Sequence, residues 1–386
     1  MPSVLQFWAW IIIFARIEKL RKMPVLKKIV VQNFRNIALQ ELEFSPKINC
    51  VSGNNGEGKT NLLEAIWCLS MTKASFGGQD RFNFRYGTGS FAISGDYVME
   101  NGTLGRFAVE AAEGEKKVRR DGKFYQRISD HIGTLPIVMV SPSDNSLVSE
   151  SGDERRRFAN SVLAQMDRGY LNDMQHYNHL LATRNTALKN TAVDPDFFDI
   201  VDERLQEYGN RIHNARKRFS EALEPVVKSY YEMVSGGSEA VGVEYKSDQD
   251  RAPLAELLAQ SRDKDRILGF TSVGVQRDDF VFTMDSHPIR KTGSQGQQKS
   301  FLVSLKFAQY DIMRDAYGFP PILLLDDLFD KLDMNRVENL LKMVAGDGFG
   351  QIFITDSNKV RVNSLLDTIT SDKACFEAKG GVFAIL

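Results

Sequence analysis

The chain has 386 residues, 42% apolar and 26% charged, the balance of an ordinary globular protein with enough length for two lobes. Its 49 basic and 50 acidic residues leave a net charge of −1, which excludes a protein that grips nucleic acid through overall basic charge; any such contact must come from local patches. The three cysteines, Cys50, Cys68 and Cys375, lack metal-ligand spacing and read as reduced, buried thiols of a cytoplasmic protein.

Taken from the start, Phe7-Trp8-Ala9-Trp10-Ile11-Ile12-Ile13-Phe14-Ala15 is apolar but too short to span a bilayer, and basic residues follow rather than precede it. Residues 1–22 are expected to be an upstream start or an accessory segment outside the fold, with a short helix on a membrane surface as the alternative. Short apolar strands follow at Leu26 to Val31 and Leu42 to Val51. The second leads into Gly53-Asn54-Asn55-Gly56-Glu57-Gly58-Lys59-Thr60, the pattern GxxxxGK[ST], and Asn61 to Trp67 continues as a helix. In that strand–loop–helix context the glycines let backbone N–H groups converge on phosphate oxygens, and the helix N-terminus adds its partial positive charge. Lys59 is expected at the β- and γ-phosphates of ATP and Thr60 at Mg²⁺. Strands are then predicted at Phe91 to Met99, Gly105 to Ala111 and Lys116 to Arg120, with hairpin turns at Asn101-Gly102 and Asp121-Gly122. An antiparallel sheet beside a parallel core is the expected result.

From Asp153 to Lys189, and again from Val201 to Tyr230, apolar residues recur at helical spacing, which predicts a helical arm of two long helices. Pro195 separates them, Pro225 is expected to kink or split the second, and Gly236-Gly237 ends it. His176 and His179 lie one turn apart without a third ligand and read as ordinary surface or packing histidines. Ser294-Gln295-Gly296-Gln297-Gln298 opens a helical run from Ser300 to Met313, a second anion-binding arrangement of hydroxyl, free N–H groups and helix dipole. Pro321 to Asp327 reads as a buried parallel strand ending in two carboxylates, with Asp326 expected to hold Mg²⁺ and Asp327 to orient or deprotonate the attacking water. An amphipathic helix at Val337 to Val344, a buried strand at Gln351 to Thr355 and a terminal hairpin about Lys379-Gly380-Gly381 complete the chain.

The Ser294–Gln297 turn resembles the signature motif of ATP-binding-cassette ATPases, and Leu332-Asp333 matches their D-loop. That resemblance implies a head-to-tail homodimer formed on ATP binding, with Ser294 and Gln297 of one copy covering the γ-phosphate held by the other. Asn33-Phe34-Arg35-Asn36 precedes the phosphate loop, and Leu63-Glu64-Ala65-Ile66 follows it. Ser141-Pro142-Ser143-Asp144, Arg155-Arg156-Arg157-Phe158, Arg184-Asn185-x-Ala187-Leu188-Lys189 and Gln276-Arg277-Asp278-Asp279 then come in order. From about Met23 to Leu386 this ordered set is similar to the RecF family of recombination and repair ATPases. The resemblance implies an α/β, P-loop ABC-type ATPase head, a mixed sheet with an antiparallel side sheet, plus a helical second lobe. The expected boundaries are 23–145 and 271–386 for the two parts of the head and 146–270 for the arm. It also implies slow Mg-ATP hydrolysis and binding to DNA at single-strand gaps and duplex junctions. Work with RecO- and RecR-like partners to load the RecA recombinase, a part in DNA replication and the SOS response, and no membrane association would follow.

Arg35 is expected to steady the nucleotide phosphates. Gln276 stands where family members usually carry His, Asp327 where transporter cassettes carry Glu, and Thr355 where their switch histidine stands. Thr355 is either a sensor of the γ-phosphate or a plain strand end. Three basic clusters are candidates for phosphate contacts: Lys116, Lys117, Arg119, Arg120 and Lys123; Arg211, Arg216, Lys217 and Arg218; and Arg155 to Arg157. The competing readings are the ATPase subunit of a transporter or other cassette complex, and a non-hydrolysing nucleotide-gated scaffold. The 234 residues between Lys59 and Ser294 exceed what a compact transporter head needs, and an intact Asp326-Asp327 pair argues against a scaffold.

Overall fold

The computed structural model describes residues 23–386 apart from 76–77, 100, 191–193, 237–238, 329–333, 358–365 and 367–369. Segment 1–22, Gly237 and the Leu332-Asp333 dipeptide lie outside the described residues. With one-turn helices left unnumbered, the first elements are β1 (Val25–Phe34), β2 (Ile37–Glu43), β3 (Ile48–Ser52), α1 (Lys59–Met71), β4 (Ser90–Val98), β5 (Leu104–Ala112), β6 (Glu115–Arg120), β7 (Lys123–Phe124) and β8 (Ile137–Val140). Then come α2 (Gly152–Met166), α3 (Arg168–Leu188), α4 (Pro195–Ser235), β9 (Val241–Lys246), α5 (Leu254–Leu268), β10 (Asp279–Met284), β11 (His287–Pro288) and α6 (Gln295–Tyr317). The last are β12 (Ile322–Leu325), α7 (Met334–Ala345), β13 (Ile352–Asp356), β14 (Lys373–Lys379) and β15 (Val382–Ile385). They pack as two units: the residues up to Pro142 with Tyr310–Leu386, and Ser143–Gln309.

The first unit holds two six-stranded sheets. One is antiparallel in the order β2-β1-β4-β5-β6-β7, and the other, in the order β15-β14-β3-β13-β12-β8, is parallel except for β15. β3, β8, β12 and β13 are buried along their whole length, as unbroken apolar runs in parallel sheets are. α1 is apolar nearly all round and is buried accordingly: Leu62, Leu63, Ile66 and Leu69 share one core with Ile29, Ile93 and Phe107 of the antiparallel sheet and Val51, Leu324 and Phe353 of the mixed one. The single strand expected from Leu42 to Val51 is two strands. The chain turns at Ser45-Pro46, where Asn49 Oδ1 accepts from the Ser45 N–H at 2.8 Å.

In the second unit the helical stripe from Asp153 to Lys189 divides into α2 and α3 at Asp167. Its carboxylate accepts from the N–H groups of Gly169 (2.7 Å) and Tyr170 (3.2 Å) and so caps the new helix. α4 runs 41 residues and continues past Pro225 without splitting. β9, α5 and β10 had no expectation attached to them. Segment 271–309, grouped by sequence pattern with the head, packs in this unit because β10 pairs with β9 along its whole length, from Asp279↔Lys246 to Met284↔Val241.

Arg184 is fully buried at the centre of this unit. It donates to Asp202 (2.6 Å), Asp265 (2.8 Å), Thr271 Oγ1 (2.9 Å) and the Leu258 carbonyl (3.2 Å), so α3, α4 and α5 meet at one guanidinium. Arg184→Met would leave the buried Asp265 carboxylate without its counter-charge and Asp202 with Arg262 alone, and it should cost about 3–5 kcal/mol in urea unfolding. A loss under about 1 kcal/mol would show that the network is dispensable.

Candidate functional site

The register of the mixed sheet builds the site. Val51 of β3 lies beside Thr355 of β13, and Leu325 of β12 beside Ile354, so three adjacent parallel strands end together. Ligands of open α/β sheets bind at such carboxyl ends. Thr60, in the first turn of α1, lies 3.0 and 2.9 Å from the two carboxylate oxygens of Asp326 and shares its hydroxyl proton with them. Thr355 is fully buried; its hydroxyl donates to Asp326 Oδ1 at 2.7 Å and accepts the Asp327 N–H at 2.9 Å. Asp327 has a φ of 42°, a left-handed conformation uncommon outside glycine, and this bond helps to hold it there. Thr355 is thus more than a strand end, since it joins the two carboxylate residues through one hydroxyl. Burial pushes the Asp326 carboxyl above the ordinary carboxylate range; hydrogen bonds from Thr355 and Thr60 oppose the rise, the neighbouring Asp327 charge adds to it, and Lys59 opposes it.

The phosphate loop is wedged between two hairpins of its own unit. A Cβ on Gly53 would stand 2.5 Å from the Ala378 carbonyl of β14. Gly58 has a φ of 104°, and a Cβ there would meet the Asn36 side chain at 2.7 Å. The Gly381 N–H donates to the Glu57 carbonyl at 2.9 Å, and the Glu57 carboxylate accepts from the Gly380 N–H, so Glu57 ties the loop to the β14–β15 turn. Asn54, Asn55 and Gly56 form the exposed crest of the loop. Lys59 donates to the carbonyls of Gly53 (2.8 Å) and Asn54 (3.1 Å).

Arg35 reaches the same helix from the β1–β2 turn. It donates to Asn83 Oδ1 and Asn61 Oδ1, both at 3.2 Å, and pairs with the buried carboxylate of Glu64 at 3.5 Å. Burial pushes Glu64 upward, against hydrogen bonding from Ser75 and the Arg35 charge. Sequence reasoning did not single out Asn61 and Asn83, nor give Glu64 a role. The available signal was a carboxylate one turn after Thr60 in an otherwise apolar helix.

Asp326 and Thr60 supply hard oxygen donors of the kind that take Mg²⁺ together with water and phosphate oxygens. The loop amides and the Lys59 ammonium suit a polyphosphate. In the second unit, Ser294 and Gln297 cap α6 reciprocally: the Ser294 N–H donates to Gln297 Oε1 (2.8 Å) and the Gln297 N–H to Ser294 Oγ (3.3 Å). Gln297 also donates to Glu239 at 2.7 Å, while Ser294 and Gly296 remain exposed.

The basic clusters come apart on inspection. Arg155 is buried in a bidentate pair with Asp279, both bonds 2.9 Å, and Arg216 is buried among Asp278, Tyr170, Asn160 and the Val275 carbonyl. These two are structural, not surface, charges. Around β6, Lys116, Lys117, Arg119 and Arg120 are matched by Asp80, Glu115, Glu110 and Asp121. Gln276 accepts from the Tyr177 hydroxyl at 2.6 Å, and His176 stacks on Tyr208 with ring centroids 5.1 Å apart. Among the described residues no helix is long and apolar enough to cross a membrane.

Fold and site together define a P-loop ATPase head. The family model for the AAA domain matches residues 28–268. The DNA replication and repair protein RecF of Bacteroides thetaiotaomicron is 42% identical over 360 residues, which cover 93% of this chain and 98% of that protein. A solved structure of the recombination mediator protein RecF with ATP, of the RecFOR pathway, aligns with a TM-score of 0.86 at 29% identity, covering 94% of this chain and 98% of that one. The Smc head domain of Pyrococcus furiosus, at 13% identity and a TM-score of 0.54, shares the fold. The chain belongs to the RecF family of DNA replication and repair proteins.

The raised Asp326 carboxyl has a consequence for stability. Between the ordinary carboxylate pKa and the raised native one, the folded state binds more protons than the unfolded state, so this group's contribution falls as pH rises through that window. Asp326→Asn should therefore raise the melting temperature of the nucleotide-free protein at pH about 7 and raise it less at pH about 4. An equal gain at both values would mean that the buried charge is not what costs stability.

Proposed function

We propose that the protein is an ATP-driven DNA-binding switch of recombinational repair and replication restart. The reading rests on one observation above the others: Thr60 of the phosphate loop, Asp326 and, through Thr355, Asp327 form one hydrogen-bonded set at the strand ends. Family membership supports the same reading.

In this proposal Gly53 to Thr60 wraps the phosphates of ATP with backbone N–H groups, and Lys59 turns from the loop carbonyls to the β- and γ-phosphates. Arg35, braced by Asn61, Asn83 and Glu64, steadies the phosphates from the other side. Thr60 and Asp326 would hold Mg²⁺, which would supply positive charge to offset that of the phosphates. Asp327 orients the attacking water and accepts its proton. Its short side chain and strained backbone suit slow turnover.

Ser294 and Gln297 of a second copy close over the γ-phosphate, so the nucleotide is the glue of a homodimer. They cap the exposed N-terminus of α6, whose partial positive charge suits an anionic partner. The closed dimer holds duplex DNA beside a single-strand gap, works with RecO- and RecR-like partners to load RecA, and opens on hydrolysis. Signalling of DNA damage through the SOS response follows from that role.

Ser294→Arg tests the contact in trans. The variant should bind ATP within about threefold of the wild-type affinity, a change under about 0.7 kcal/mol, yet stay monomeric by light scattering in Mg-ATP, where the wild type dimerises. An ATP-dependent dimer of the variant would remove Ser294 from the interface.

A further inference from the structure

We propose that the segment Arg81-Phe82-Asn83-Phe84-Arg85-Tyr86 is a seat for single-stranded nucleic acid, with unpaired bases stacked on Phe82 and Tyr86 and phosphates held by Arg81 and Arg85. It rests on the DNA reading above and assigns the single strand of a gapped substrate to a place on the first unit.

The segment alternates anchors and exposed groups. Asn83 is buried and takes two bonds from Arg35, one from its N–H to the Asn83 carbonyl (2.8 Å) and one from Nε to Oδ1 (3.2 Å). Phe84 bridges Phe34 and packs edge-on against Phe91, and the Arg85 N–H donates to the Asn33 carbonyl at 2.8 Å. The backbone is therefore pinned beside the nucleotide site, and the outward side chains are presented by a fixed strip. Phe82 is 69% exposed and Tyr86 fully exposed, two of the larger apolar surfaces that the described residues leave in water.

Charge separates this strip from the basic hairpin, one of the three candidate clusters. Lys116, Lys117, Arg119 and Arg120 each face a carboxylate within their own sheet or its flank, and a phosphate would have to displace it. Arg81 and Arg85 have no carboxylate partner among the described residues. Arg81 lies over the Phe82 ring at 5.0 Å, and Asp80 beside it is turned to Lys116 at 2.7 Å. Two guanidinium groups without a carboxylate partner among the described residues, interleaved with two largely exposed aromatic rings, match what a single strand offers, alternating phosphate charge and exposed base faces. A duplex offers only the first, because its bases are stacked on one another.

The test is fluorescence anisotropy of the full chain with a labelled oligo(dT) of roughly twenty nucleotides and with a duplex of equal length. Phe82→Ala with Tyr86→Ala should weaken oligo(dT) binding at least about tenfold and leave duplex binding and ATP affinity unchanged. Tyr86→Phe alone should bind oligo(dT) within about twofold of the wild type, since the stacking face is kept. Arg81→Gln with Arg85→Gln should lower the slope of log affinity against log salt by about 1.4 for two phosphates on a single strand. Unchanged oligo(dT) affinity in the double alanine variant overturns the proposal. So does an equal loss on duplex, which would make the strip a general DNA contact, or a loss of ATP affinity, which would make the aromatics a platform for the nucleotide's own base. Failure of the wild-type chain to bind oligo(dT) while it binds duplex overturns this inference alone; failure to bind any DNA overturns the functional reading beneath it.

Discussion

A carboxylate that is buried and hydrogen-bonded to two threonines organises the first unit. Asp326 sits where β12 ends, Thr60 where the phosphate loop becomes a helix, and Thr355 where β13 ends. Charge in such a place is costly unless donors surround it, and hydrogen bonds to a charged group contribute on the order of 1.5–3 kcal/mol each. The donors come from the neighbouring parallel strand and a helix start, so the carboxylate at the end of β12 is satisfied only when the register of the sheet is correct. The raised pKa of Asp326 shows that the compensation is incomplete. The remaining cost is the physical basis for a site in which a divalent cation and a polyphosphate would be welcome.

The loop beside that carboxylate is held from both sides by elements distant in the chain. The β14–β15 turn bonds Glu57 from one side, and Asn36 of the β1–β2 turn packs on Gly58 from the other. Both turns close antiparallel pairs whose strands are fixed in the two sheets. The phosphate loop therefore depends on the last residues of the chain as much as on the first sixty. Arg35 extends the same logic outward: its guanidinium spans α1 and the Asn83 strip and so joins the loop helix to a surface that meets solvent.

Much of this was legible in the sequence because local chemistry determined it. The strand–GxxxxGK[ST]–helix context, the apolar run into Asp326-Asp327 and the Gly380-Gly381 hairpin all rest on short-range rules, and each forms where expected. What escaped was set by tertiary partners. Nothing local marks Asp167 as the cap that splits a continuous apolar stripe, or the β9–β10 pairing that draws segment 271–309 into the second unit. Pro225 reads as a kink or a split, and α4 is one continuous helix through it. The basic clusters misled for the same reason: a run of arginines has no exposure written in it, and Arg155 and Arg216 turn inward to carboxylates more than sixty residues away in the chain.

The central claim is that occupation of the phosphate loop closes two copies of the chain. Sedimentation velocity of the wild type and of Lys59→Arg, each with and without Mg-ATP, tests it most directly. The account predicts a monomer without nucleotide, an ATP-dependent dimer for the wild type that strengthens on gapped duplex, and a variant that folds normally but remains monomeric. A wild type that binds ATP and sediments as a monomer throughout, or a Lys59→Arg variant that dimerises as well as the wild type, would contradict it.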